Sequence, residues 1–133
     1  MSKLSAFLHP KPIGEKEITL SDRFVDEAGE LLKFKLRGIS QKEHAAIIDA
    51  ANKPKTVDGV TAYELDQREY NTRLVLAALV EPCLTSSDAC KEYGVADPML
   101  IPGSLFSAGE FTKLTREISK LSGFGNAEAE AKN

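Results

Sequence analysis

Residues 30–44 read ELLKFKLRGISQKEH, and the fold depends on how this stretch is divided. Leu32, Phe34 and Leu36 alternate with Lys33, Lys35 and Arg37, and the alternation stops at Gly38. Successive side chains of a strand point to opposite faces, so the apolar residues share one side and the cations the other. Burying an apolar side chain is worth ~1.5–3 kcal/mol. The apolar side therefore goes to a core and the basic side to water. Beyond Gly38, Ser40 and Glu43 fit the S-x-x-E pattern of a helix start, in which each side chain satisfies the other residue's free backbone N–H. His44, Ile47, Ile48 and Ala51 then fall on one helical stripe. The stretch is a strand that runs into a helix.

Upstream, KEITLS (16–21) places Ile18 and Leu20 on one face, and Asp26 and Gly29 punctuate the connection that follows. The spacing predicts a β-hairpin, residues 16–25 paired with 30–37. Downstream, the helix stops before Pro54. KPKTVDGVTAYE (53–64) reads as a loop around Asp58-Gly59 in which a short second hairpin fits. Asp66 and Glu69 form another capping signal. The run YNTRLVLAALVE (70–81) is apolar on nearly every side from Leu74 to Val80, which predicts a central helix ended by Pro82. TSSDACKEYG (85–94) reads as a short helix capped by Thr85 or Ser86 and closed at Gly94. ADPMLIPG (96–103) is a connection stiffened by Pro98 and Pro102. The last helix is predicted over 104–122, with Leu105, Ala108, Phe111, Leu114, Thr115, Ile118 and Leu121 in register. Phe106 falls off that stripe and is expected to be exposed. Gly123 and Phe124 suit a Schellman-type stop, with Phe124 folding back on Ile118. The fold class expected is α+β, a small antiparallel hairpin or sheet near the N-terminus packed against three or four helices.

The chain divides into a flexible arm (1–14), a single α+β domain (15–124) and a disordered tail, GNAEAEAKN (125–133). Within the arm, Leu4, Phe7 and Leu8 have the i, i+3, i+4 spacing of one helical turn, too short to stand alone in water. Either these residues pack on their own domain or they order on a partner.

Composition excludes several function classes. The 133 residues are 42% hydrophobic and 28% charged, ordinary for a globular chain large enough to bury a core, and carry a net charge of −3. Nucleic-acid binders carry a basic excess. The Lys33, Lys35, Arg37 row has no interleaved aromatic to stack a base, and the nearby Glu15, Glu17, Glu27 and Glu30 blunt its field. Cross-strand charge pairs account for it. Cys83 and Cys90 lack zinc-site spacing and read as buried or semi-buried thiols in a reducing compartment. His44 has no second ligand or carboxylate spaced to join it and reads as a core-edge residue. No hydrophobic run approaches the ~18 residues that span a membrane, and no leader pattern opens the chain. Hydrolase, nucleotide-binding and metalloprotease signatures are lacking. The reading is a non-enzymatic interaction module without a cofactor.

Four segments in order, MSKLSAFL, RFVDEAGELLKFKLRGIS, VEPCL followed by EYGVADPMLIPG, and AGEFTKLTREISKLSGF, resemble the XkdN/YqbN-like tail assembly chaperones of tailed bacteriophages and defective prophages. The resemblance covers residues 1–124 and rests on order and spacing more than on any single motif. It implies a small non-enzymatic protein of the host cytoplasm, absent from the mature virion. Its partner would be the long helical tape-measure protein, which such chaperones coat before the tail tube polymerises; the tube protein is a second candidate. The resemblance also raises a frameshifted longer form beginning near the C-terminal tail, and leaves self-association open. No catalytic residues transfer. The partner-binding residues expected are Leu4, Phe7, Leu8 and Phe106. The competing readings are a tail or head-completion protein retained in the particle and a small DNA-binding prophage regulator.

Overall fold

In the computed structural model, residues 2–124 are described; the expected C-terminal tail lies outside them. The fold is α+β. Strand β1 (Glu15–Thr19) pairs antiparallel with β2 (Lys33–Arg37), with Ile18 opposite Phe34 and Glu15 opposite Arg37. The hairpin is shorter than its alternation suggests. Residues 20–32 form a connection closed by a Val25–Leu31 bridge and by the Asp26 carboxylate, which accepts from the N–H groups of Ala28 and Glu30. Leu32 lies outside the paired strand and is 43% exposed, so it does not join Phe34 and Leu36 in the core.

Helix α2 (Gln41–Ala51) starts at the Ser40/Glu43 capping box. The chain then builds the second hairpin, β3 (Asn52–Val57) and β4 (Val60–Leu65), around Asp58-Gly59. Both turn residues have positive φ, 54° and 77°, as the tight two-residue hairpin turn requires. Helix α3 (Gln67–Ala78), capped by Asp66, is the central helix, with Leu74, Val75 and Ala78 buried. It ends before the apolar run does. Leu79–Glu81 instead form strand β5, which adds antiparallel to the free side of β2 and gives the sheet order β1-β2-β5.

Helix α4 (Ser87–Tyr93) is capped by Ser86 and closed by Gly94 at φ 74°. The segment read as a rigid connection is helical: a 3-10 turn at Pro98–Leu100 leads into α5 (Ile101–Leu105). The predicted last helix is therefore two. Phe106 is extended, and α6 (Ala108–Leu121) restarts at a Ser107/Glu110 capping box. Its end is a Schellman motif: Phe124 N–H donates to Ser119 O at 2.9 Å and Gly123 N–H to Lys120 O at 3.1 Å. The Phe124 ring lies 5.1 Å from that of His44.

The core joins the inner face of β2 to α3, α5 and α6 through Leu36, Val75, Ile101, Leu114 and Ile118, all essentially inaccessible to solvent. At one end of the core, the rings of Phe24, Phe34 and Phe106 meet with centroids 4.9–6.0 Å apart, the range of favourable aromatic pairs. Phe106, expected on the surface, is 7% exposed. The break in the helix is the reason, since an extended residue between two helices no longer follows the stripe of either.

Candidate partner-binding surface

Several surface ion pairs tie separate elements of the fold together. In the basic row of β2, Lys35 and Arg37 pair with carboxylates. Lys35 pairs with Glu15 at 3.1 Å, and Arg37 grips Glu43 through both guanidinium nitrogens, one contact at 3.0 Å. The Arg37 hydrogen bond holds the Glu43 carboxyl down at about 2, helped by the backbone N–H of Ser40. The buried Glu110 accepts from Ser21 Oγ, Arg23 and the Ser107 N–H, which fastens the β1–β2 connection to the start of α6. His44 sits at the core edge with Nε2 2.9 Å from Tyr70 Oη. Cys83 is exposed and Cys90 half-buried, so only the second fits the expected semi-buried thiol. Among the described residues no group of His, Cys, Asp and Glu is placed to hold a metal ion, and no helix is long and apolar enough to cross a membrane.

These ion pairs predict acid sensitivity. Glu69, Glu110 and Glu117 are also held below the ordinary carboxylate range, by hydrogen bonds led by those from Lys53, Ser21 and Lys16. A depressed folded pKa contributes stability that is complete above the ordinary value and disappears as pH falls through the folded one. For Glu43 that window runs from 4.5 down to about 2. The melting temperature should hold steady above pH 5 and fall steeply below pH 4.5. Glu43→Gln should melt lower at neutral pH and show a shallower acid fall, measured by circular dichroism across the pH series.

The arm differs from this well-knit surface. Helix α1 (Lys3–Leu8) is capped by Ser2, whose hydroxyl accepts from Ser5 N–H at 3.1 Å. Leu4, Phe7 and Leu8 are 67%, 71% and 66% exposed, and no residue of α1 is buried. Of the two fates open to these side chains, packing on their own domain is not the one observed. Three large apolar side chains on one turn make a contiguous patch, which a lone exposed phenylalanine would not. The arm carries Lys3 and Lys11 and no acidic residue, so the acidic excess lies beyond it. It is anchored at its base, where Gly38 N–H donates to Gly14 O at 2.9 Å. Of the four residues expected to bind a partner, the structure brings Leu4, Phe7 and Leu8 together and sends Phe106 to the core.

A second element is also exposed to solvent. In the β3–β4 hairpin, Val57, Val60 and Tyr63 are all exposed. The Asp58-Gly59 turn signalled a hairpin, but nothing local to it signals that both faces stay wet.

The described residues thus form an α+β domain that carries an apolar arm it does not bury. The fold matches the crystal structure of the protein YqbN, with a TM-score of 0.73 at 19% identity, over 93% of this chain and 97% of that one. Residues 4–133 match the model of the phage XkdN-like tail assembly chaperone proteins, and the chain belongs to that family. It is 28% identical to the phage-like element PBSX protein XkdN of Bacillus subtilis strain 168, across 98% of this chain and 93% of the relative.

Proposed function

We propose that this tail assembly chaperone acts without catalysis, in the host cytoplasm, by binding the tape-measure protein while the tail is built. The observation that carries the reading is the exposed apolar turn of α1. A long amphipathic helix awaiting its tube exposes an apolar stripe along its length, and a short apolar helix on a tether can lie against such a stripe. A six-residue helix is marginal in water, so ordering it on the partner offsets part of the binding energy and keeps the contact reversible. A chaperone that must later leave benefits from modest contacts repeated along its client. Phe106, being core, has no part in this surface.

Co-expression with the tape-measure protein tests the proposal. Phe7→Ala/Leu8→Ala should leave stability within about 0.5 kcal/mol of wild type, because neither side chain is buried. The same variant should recover much less tape-measure protein in the soluble fraction. Full co-purification by this variant removes the arm from the interface.

A further inference from the structure

The β3–β4 hairpin has two edges, and they are unlike. Strand β3 reads Asn-Lys-Pro-Lys-Thr-Val: a proline flanked by two lysines, the composition that blocks edge pairing. Strand β4 reads Val-Thr-Ala-Tyr-Glu-Leu, with no proline, no lysine and three residues of high strand preference. All of β4 is exposed, and among the described residues its one strand partner is β3. A two-stranded hairpin is marginally stable in water by itself, and this one offers an open edge.

The register fixes which backbone groups that edge presents. Pro54 lies opposite Tyr63. A hydrogen-bonded antiparallel pair exchanges both N–H···O bonds, and proline has no N–H to give, so Pro54–Tyr63 is a non-hydrogen-bonded pair. Alternation makes Thr56–Thr61 another, and its two hydroxyls lie 2.9 Å apart. The N–H and C=O groups of Thr61 and Tyr63 therefore point away from β3, toward the open edge.

We propose that this edge pairs with β4 of a second copy of the chain, antiparallel about a two-fold axis at Ala62. Thr61 then faces Tyr63 of the second copy, and the converse, giving two hydrogen-bonded pairs that each exchange both bonds. Ala62 meets its own equivalent at the axis, where a non-hydrogen-bonded pair brings side chains closest and a small residue fits. Glu64 lies opposite Val60, so no like charges face each other. The hairpin carries Lys53, Lys55, Asp58 and Glu64 and is neutral overall, so two copies meet without net repulsion. Lys55–Glu64 and Lys53–Glu69 ion pairs further occupy its charges. The result is a four-stranded sheet, β3-β4-β4-β3. Its outer edges are both the blocked β3, so the assembly closes as a dimer and does not extend. On one face, Val57, Val60 and Ala62 of the two copies form a continuous apolar band.

The test uses the full chain, with sedimentation velocity over a concentration series and amide hydrogen exchange. Wild type should pass from monomer to dimer as concentration rises, with Thr61 and Tyr63 amides gaining protection over the same range. Ala62→Glu sets a carboxylate opposite Lys55 within its own hairpin, which favours the hairpin, but sets two carboxylates face to face at the axis. It should weaken dimerisation about fivefold or more. Ala62→Lys alone should be weak too, and an equimolar mixture of the two variants should restore the dimer. Unchanged far-ultraviolet circular dichroism and melting establish that each variant is folded. A wild-type chain that stays monomeric overturns the proposal, as does a dimer indifferent to both variants. Protection of Thr61 and Tyr63 in the monomer assigns the edge to this chain's own arm and overturns it. So does protection gained only when tape-measure protein is added.

Discussion

Phe106→Ala should destabilise the protein by ~3–5 kcal/mol, the range for truncating a buried phenylalanine. The ring is 7% exposed and stands against Phe24 and Phe34, with centroids 5.9 and 6.0 Å away. Removing it takes away buried apolar area, leaves a hole between two stiff rings, and ends two aromatic contacts of about 0.5–1.5 kcal/mol each. For a chain of this size the loss corresponds to a fall in melting temperature of about 10 °C or more. Urea unfolding supplies the measurement, read as a shift in midpoint at constant slope. A surface phenylalanine would move the midpoint by less than about 0.5 kcal/mol. The two placements of Phe106 therefore differ severalfold in a single titration. Phe106→Leu should recover a large part of the loss, since it keeps most of the volume and gives up the ring geometry.

Phe106 also shows what kind of information the sequence withholds. Ser107-Ala-Gly-Glu110 is a capping box of the same form as Ser40-Gln-Lys-Glu43, and both form in the structure. The first was legible because a strand's alternation ended just before it. The second was masked because Leu105, Ala108 and Phe111 continue a helical stripe straight across the break. Leu79-Val80-Glu81 is a similar case. Three residues cannot display a period, and what makes them a strand is the free side of β2, more than forty positions earlier in the chain. Leu32 kept the alternation of its neighbours but fell outside the paired strand, because the connection before it is closed by Asp26 and the Val25–Leu31 bridge. Local chemistry such as caps, turn residues and helix stops was readable. Burial along a clear period was readable too, as Phe34, Leu36, Leu114 and Ile118 show, but burial that depends on what arrives from elsewhere was not. The exposure of Leu4, Phe7 and Leu8 belongs to that second kind, so their i, i+3, i+4 spacing suited either fate.

The close approach at Gly38 likewise had no local signature beyond a broken pattern. Gly38→Ala should cost about 2–3 kcal/mol, the upper part of the range for overpacking. The cause is steric and not conformational, since the backbone there lies outside the left-handed region that glycine alone enters freely. A Cβ at position 38 would sit 2.5 Å from the carbonyl oxygen of Leu121 and closer still to Ile13 Cγ2. The isoleucine can swing aside, but the carbonyl is main chain at the end of α6 and moves only if that helix end moves. The strain thus falls where β2, the C-terminus of α6 and the base of the arm meet, next to the Gly38–Gly14 hydrogen bond. Gly109→Ala is the matched control. Nothing lies within 4 Å of an added Cβ there, and the residue is in the first turn of α6. It should raise stability by about 0.4–1 kcal/mol through the unfolded chain alone. Opposite signs from one chemical change at two glycines isolate packing from propensity. If the Leu121 carbonyl is the obstacle, adding Ile13→Ala to Gly38→Ala recovers little of the loss. A full recovery would shift the cause to the isoleucine side chain and leave the end of α6 unstrained.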